Sequence, residues 1–497
     1  MSRPNSGGLS RRSFTEGLAS GALIVGIDTL TGAWARVGDE SLSSHFERLP
    51  KLDGCLSFDA TTCNAYAQDY GQIIHEAPIA VLSPGSIGDI SRMVRFARRR
   101  DLKIAVRGHG HQPFGQAQVR GGIVIDMTSL RTVHCVSEEG IDVDAGADWR
   151  TVVVNAFGYG LTPPVLTNYL GLTVGGTLSV GGIGLTTLAH GAQVDQTVQV
   201  QVVTGEGDVV TCSATEHRDL FEAVLVGQGQ CGIITRAVLR AERVQQLVRE
   251  YTLPYPNLQS LLQAGARVRD ERRFDGVVAL IVPSEPRWSY LLSAVRYFTP
   301  PNHPDDAALL ADLNFIDGAQ RIRSVDYLEY LDVTPNLDYA KSHADLGLCI
   351  PESAAPNFIG DMLSRLTPQD LGAAAAIRVF FLRSAPFGRP LLRLPKEQTF
   401  NYVVVLRSET NEPDVLARML SGNRTLFESC RNTDGTLYPF AAVELSQADW
   451  EQHYGPRLPA LLDAKRRYDP QRVFASGPNL HFPRDGHEFL EGATGDP

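Results

Sequence analysis

From Lys103 to Met127 the chain reads KIAVRGHGHQPFGQAQVRGGIVIDM, and no other stretch restricts the fold as much. Lys103 to Val106 and Ile123 to Met127 predict strands, the second as a β-branched run after the turn pair Gly121-Gly122. The connection carries Gly108, Gly110 and Gly115 together with His109 and His111. Glycines leave backbone N–H groups bare and allow φ > 0, so such a loop suits a phosphate or the polar edge of a cofactor. Taken alone, a tight surface turn explains it equally well. A second stretch, TNYLGLTVGGTLSVGGIG from Thr167 to Gly184, is followed by VVTGEGDVVTCS and GQGQCGIITRA. Glycine-rich turns beside β-branched strands, repeated within about 130 residues, point to one long ligand held by several loops.

Upstream, Ala77 to Leu82 reads as a strand ending at Pro84-Gly85-Ser86. Asp89 to Arg100 then has helical spacing, with Ile90, Met93, Val94 and Phe96 apolar among arginines. Strand, helix and strand lead into the His111 loop. No GxGxxG opens a helix there, which argues against a Rossmann nucleotide unit.

The chain has 497 residues, too many for one core, so two domains or one large domain with an insertion are expected. A formal net charge of −10 disfavours nucleic acid and anionic membrane surfaces as partners and leaves small-molecule chemistry. Residues 1–35 read as a targeting segment: a twin-arginine signature at Ser10 to Phe14, an apolar region from Leu18 to Leu30, and Ala33-Trp34-Ala35 as a cleavage site. A disordered basic tail is the other reading. The apolar region is too short to span a bilayer, so no membrane anchor is expected. The 7 cysteines show no paired CxxC, and no metal site is expected. Cys55 and Cys63 are either a disulfide formed after export or separate thiols.

The motifs RGHGHxxxGQA, DMTSL (Asp126 to Leu130), LTVGGTLS (Leu172 to Ser179), HGAQV (His190 to Val194), VVTGEGD (Val202 to Asp208) and GQCGIITRA (Gly229 to Ala237) resemble FAD-linked oxidases of the vanillyl-alcohol-oxidase type. Within that superfamily they are most similar to cytokinin dehydrogenases. The resemblance extends from Asp69 to the C-terminus and implies an α+β fold, with a two-part PCMH-type FAD-binding domain and an inserted α/β substrate (cap) domain. The implied boundaries are 1–35 for the signal peptide, 36–245 for the FAD-binding domain, 246–434 for the cap, and 435–497 for a segment returning to the FAD-binding domain.

For the site, the resemblance implies flavin contacts from Val106, Gly108, His109, Gly110, Gln112, Gln116 and Ala117 in the first loop. Thr173, Gly175, Gly176, Ser179 and Ile183 match in the second. Gly232, Ile233 and Ile234 match the strand approaching the cofactor, and Tyr438 is the nearest match to a tyrosine lent by the C-terminal segment. In the family the histidine at the position of His111 is bonded through a ring nitrogen to the flavin 8α carbon. Neutral imidazole is a competent nucleophile for such a bond. A histidine hydrogen-bonded to its own loop is the alternative. Gln112 stands where the family has Ser. Some relatives attach the flavin twice through a cysteine before the VGG, but Asn168 to Thr173 contains none, so single attachment is expected.

Asn168 occupies the position of the family's catalytic Asp. An amide is no proton acceptor near neutral pH, so Asn168 can orient a substrate or form a turn but cannot serve as the base. A second family carboxylate corresponds to Val278. Both departures argue against cytokinin itself as substrate. In the cap, Phe274 to Val282, Trp288 to Phe298, Ala344 to Ile350, Ala375 to Arg383 and Phe400 to Arg407 predict strands. Leu258 to Val268 and Ala354 to Leu366 predict helices. Arg378, Arg383 and Arg407 are either contacts for an acidic substrate or ordinary surface pairs. The resulting expectation is an exported, periplasmic or extracellular enzyme that passes hydride from a small organic substrate to flavin N5. O₂ or another acceptor would reoxidise the flavin. An alcohol or sugar oxidase, or a flavin-binding protein without catalysis, are the alternatives.

Overall fold

The computed structural model describes residues 24–28, 34–36, 46–284, 287–332, 339–372, 376–410 and 412–475. Residues 1–52 and 53–497 are two compact units. In the first, Ile24–Asp28 pairs antiparallel with both Trp34–Arg36 and Phe46–Arg48. The twin-arginine signature lies outside the described residues. Among those described, no helix is long and apolar enough to cross a membrane.

The second unit begins with a four-stranded sheet in the order Cys55–Ser57, Ala80–Ser83, Ile123–Asp126, Ile104–Arg107, in which the last three strands run parallel. The helix between them, Ile87–Arg99, starts at Ser86, whose hydroxyl accepts from the Asp89 amide at 3.2 Å. Its buried stripe of Ile90, Met93, Val94 and Phe96 follows the apolar spacing. Burying each such side chain contributes about 1.5–3 kcal/mol. As expected, no helix follows Ile104–Arg107, and the loop runs into Ile123–Asp126. A five-stranded antiparallel sheet comes next, ordered Val209–Ser213, Thr197–Val203, Ile233–Leu239, Gly140–Asp144, Val133–Ser137. Cys55 and Cys63 are separate thiols.

The third sheet has eight antiparallel strands in the order Arg321–Asp326, Leu247–Tyr255, Trp288–Phe298, Gly276–Pro283, Ala376–Arg383, Thr399–Leu406, Leu346–Pro351, Thr436–Ala441. Five of these match expected strands to within two residues. Leu247–Tyr255 and Arg321–Asp326 were not expected, and Thr436–Ala441 supplies an edge. Helix Leu258–Glu271 lies on one face, where Gly265 admits the Phe381 ring; a Cβ there would meet that ring at 2.0 Å. Side chains alternate across a strand, so Arg378 and Phe380 face away from that helix layer.

The C-terminal helix Leu458–Tyr468 returns to the earlier part of the unit. The Tyr468 hydroxyl donates to Asp219 at 2.9 Å, and the Gly205 amide donates to the Tyr468 carbonyl at 2.7 Å. Before it, Gln447–Tyr454 is tied to Pro413–Arg431 through Asp449, which accepts from Arg424 Nη1 at 2.8 Å and from the Ser446 amide at 2.9 Å. Burial pulls the Asp449 carboxyl upward, but the bonds from Arg424 and Ser446 outweigh it and hold it at about 2, against 3.8 for the ordinary group. The folded value is depressed, so this stabilisation is present above about pH 4 and is lost as pH falls toward 2. Asp449→Asn should cost about 1–2 kcal/mol at neutral pH and flatten the acid limb of stability between pH 4 and 2. Parallel acid limbs for both proteins, followed by circular dichroism, would contradict this.

Candidate active site

The His111 loop is held by the segment between the helices Ala60–Ala65 and Ile87–Arg99. Tyr70 N–H donates to the Gly110 carbonyl at 2.8 Å and Gly71 N–H to the Gln112 carbonyl at 3.3 Å. Asp69 binds both sides, accepting from the Gly71 amide at 3.0 Å and the Gly115 amide at 2.6 Å. Gly110 sits at φ 67°, a conformation that favours glycine, and its bare Cα faces the Arg107 guanidinium. Burial raises the Asp69 carboxyl to about 7 despite those bonds and the Arg107 charge. His109 Nδ1–H donates to the Gly171 carbonyl and so joins the first glycine loop to the second.

The second loop is fixed from both ends. The Thr173 hydroxyl oxygen accepts from the Gly176 amide at 3.3 Å, while Trp149 N–H donates to the Leu172 carbonyl at 3.0 Å. Tyr438, on the edge strand of the eight-stranded sheet, reaches across and accepts from the Gly182 amide at 2.9 Å.

These loops and the open face of the eight-stranded sheet line one cavity of about 470 Å³. Asn168, His111 and every residue expected to contact the flavin are on its wall. Val106, Gly108, His109, Gly110, His111, Gln112, Gln116 and Ala117 come from the first loop, and Asn168, Thr173, Gly175, Gly176, Ser179 and Ile183 from the second. Gly232, Ile233, Ile234 and Tyr438 complete that set. The sheet adds Arg378, Phe380, Tyr402, Val404, Leu406 and Phe440, and the flanking segments add Tyr70, His343 and Asp345. Of the three arginines considered for substrate, only Arg378 lies on this wall. Arg383 pairs with Asp270 at 3.1 Å, and Arg407 is buried, donating to the Asp370 carbonyl at 3.0 Å. Arg383 on its strand, and Arg407 directly after Thr399–Leu406, are an odd number of positions from the wall residues Phe380 and Tyr402, which turns them to the opposite face. Val278 pairs with Phe380 in the sheet and offers no carboxylate.

Around His111 the wall is aromatic. Its ring lies 4.2 Å from Tyr70 and 5.7 Å from Phe440, the latter stacked, and Nδ1 is 3.1 Å from the Tyr339 hydroxyl. Burial lowers the imidazole to about 3, with the His343 and His109 charges acting the same way, so the ring is neutral at physiological pH.

Two family models match the chain: an FAD binding domain over residues 78–213, and a domain described as "Cytokinin dehydrogenase 1, FAD and cytokinin binding" over residues 266–481. An uncharacterized oxidoreductase of the fasciation locus in Rhodococcoides fascians is 38% identical over 440 residues, covering 87% of this chain and 100% of that protein. Cytokinin dehydrogenase 4 of Oryza sativa subsp. japonica is 30% identical over 489 residues, covering 87% of this chain and 91% of that protein. The chain belongs to the cytokinin-dehydrogenase-like FAD-dependent oxidoreductases. The solved structure of 6-hydroxy-D-nicotine oxidase from Arthrobacter nicotinovorans shares its fold, with a TM-score of 0.69 at 21% identity over 86% of this chain and 97% of that one.

For an oxidoreductase of this family, the cavity wall fits the cofactor. Gly229, at φ 73°, would carry a Cβ into open space, which leaves bare backbone at the wall. The buried Gln112 Oε1 has no hydrogen-bond partner among the described residues, and a ligand N–H would satisfy it. The first loop, the second loop and Ile233–Ile234 would hold the FAD, which supplies two-electron oxidising power when bound. Missing from the sequence reading were Tyr70, His343 and Asp345. They enter through tertiary pairing, and only the alternation on the neighbouring strands carried a local signal.

Proposed function

We propose that this oxidoreductase is exported and oxidises a small organic substrate at a C–H bond next to nitrogen or oxygen, with its FAD bonded to His111. One observation carries the reading: the glycine loops and the open sheet face bound the same cavity, so a substrate resting on Phe380, Tyr402 and Val404 lies against whatever the loops hold. The aromatic and aliphatic wall excludes water from the bound substrate and favours a flat or apolar one. His111 supports covalent attachment because its ring is neutral and faces the cavity. Asn168 and Val278 lack the carboxylates of cytokinin dehydrogenases, which supports a substrate other than a cytokinin. The twin-arginine signature supports export of a folded protein that already carries its cofactor; recovery of the whole protein inside the producing cell would sink that part.

The test is anaerobic bleaching of the flavin absorbance by a panel of secondary amines, benzylic alcohols and sugars, with isopentenyladenine as the cytokinin. Bleaching by one class identifies the bond oxidised. Failure across the panel would favour a flavin-binding protein without catalysis.

A further inference from the structure

Oxidation of a C–H bond next to N–H or O–H needs a proton acceptor, and neither Asn168 nor Val278 provides one. Among the described residues lining the cavity, Asp345 is the one carboxylate and Arg378 the one guanidinium. Asp345 stands directly before the strand Leu346–Pro351. The Tyr70 hydroxyl donates to its Oδ2 at 3.1 Å, and the Arg407 backbone N–H donates to its Oδ1 at 2.8 Å. Each carboxylate oxygen accepts two hydrogen bonds, so each keeps one acceptor site. The histidines on the first loop are poorer candidates. His109 spends its Nδ1–H on the Gly171 carbonyl, and His111 is a very weak base.

We propose that Asp345 is the base of the reaction, a role the family places on the residue that is Asn168 here. Its carboxylate takes the proton from the substrate N–H or O–H, while the neighbouring C–H hydrogen leaves with its electron pair for the FAD oxidant. The substrate gains a C=N or C=O bond, the FAD gains two electrons, and Asp345 ends as the neutral acid. This inference rests on the oxidoreductase reading above.

The surroundings suit that task. Burial raises the Asp345 carboxyl, while the Arg407 amide, the Tyr70 hydroxyl and the charges of Arg378 and Arg407 pull it back, leaving it at about 7. A base is most effective when its pKa lies near the working pH. Tyr402 also faces Asp345, and the His343 ring stacks on Tyr70 at 4.1 Å. Tyr70 therefore connects Asp345 to the ring face of His111.

The experiment compares flavin-loaded wild type, Asp345→Asn and Tyr70→Phe by infrared difference titration and by anaerobic flavin reduction. Isopentenyladenine is the CH–NH probe and benzyl alcohol the CH–OH probe. Wild type should show two carboxyl signals titrating near 7, from Asp69 and Asp345; one of them should be absent in Asp345→Asn and moved upward in Tyr70→Phe, which loses a bond to the charged form. With whichever probe reduces wild type, Asp345→Asn should be slower by roughly 10²–10⁴. Its flavin absorbance should be unchanged. Equal reduction rates and pH profiles in wild type and Asp345→Asn, or no carboxyl signal lost from this range in that variant, would overturn the proposal. If neither probe reduces wild type, those two compounds are not substrates, and the titration alone decides on Asp345. Should Asp345→Asn not fold, an unshifted titration and rate profile in Tyr70→Phe would count against it.

Discussion

If the FAD is bonded to His111 as proposed, His111→Ala should abolish retention of the flavin through acid precipitation: the wild-type pellet should keep the yellow chromophore after washing, and the variant pellet should lose all of it. The loop does not depend on the imidazole for its shape, because its backbone is held by the Tyr70 and Gly71 amides and by Asp69. Removing the ring thus removes a nucleophile and leaves the cradle, so the folded variant still binds FAD reversibly. The effect is all-or-none, since a covalent bond survives denaturation and a fitted cavity does not. Flavin released from acid-treated wild type would show that His111 only contacts the cofactor. Gln112 would then be the feature to explain, and the family assignment would stand without the bond.

Gly108→Ala should cost about 1–3 kcal/mol of stability and leave the protein largely without flavin. A Cβ at position 108 would lie 2.0 Å from Thr173 Oγ1 and 2.9 Å from its Cγ2. Thr173 cannot step aside, because Val174 N–H donates to the Ala147 carbonyl at 2.8 Å and Thr173 bridges to Asp148. The added methyl group therefore pushes the two glycine loops apart where both bound the cavity. Adding Thr173→Ala removes both clashing atoms and leaves a Cβ to Cβ distance of 3.0 Å, which a small shift relieves. The double variant should recover part of the loss in melting temperature and flavin content, a strong departure from additivity. Additive losses would show that the contact is not the cause.

Glycine positions were legible where the constraint behind them is local: a turn, or a positive φ at Gly110 or Gly229. The strands with β-branched runs, such as Thr399–Leu406, were legible for the same reason. Arg321–Asp326 was not, since its side chains are mostly exposed and charged and its order comes from pairing with Leu247–Tyr255. Tyr70 and Asp345 are 275 residues apart, and their contact exists only once the sheet register is set. The choice among Arg378, Arg383 and Arg407 was within reach of period-two counting. It needed one residue on each strand, Phe380 or Tyr402, to be assigned to the cavity face. Most of what the sequence showed concerns the cofactor side, and most of what it concealed faces the substrate.

The hydroxyl of Tyr438 that secures the Gly182 amide is encoded 256 residues after it. During synthesis the glycine loops emerge long before their clasp. A ribosome-bound chain stopped before Tyr438 has both loops and His111 but an unfinished pocket, and the non-local pairing that completes it comes late. The pocket is therefore complete only near the end of translation, and a C-terminal truncation that removes Tyr438 but spares every loop residue should leave the protein colourless.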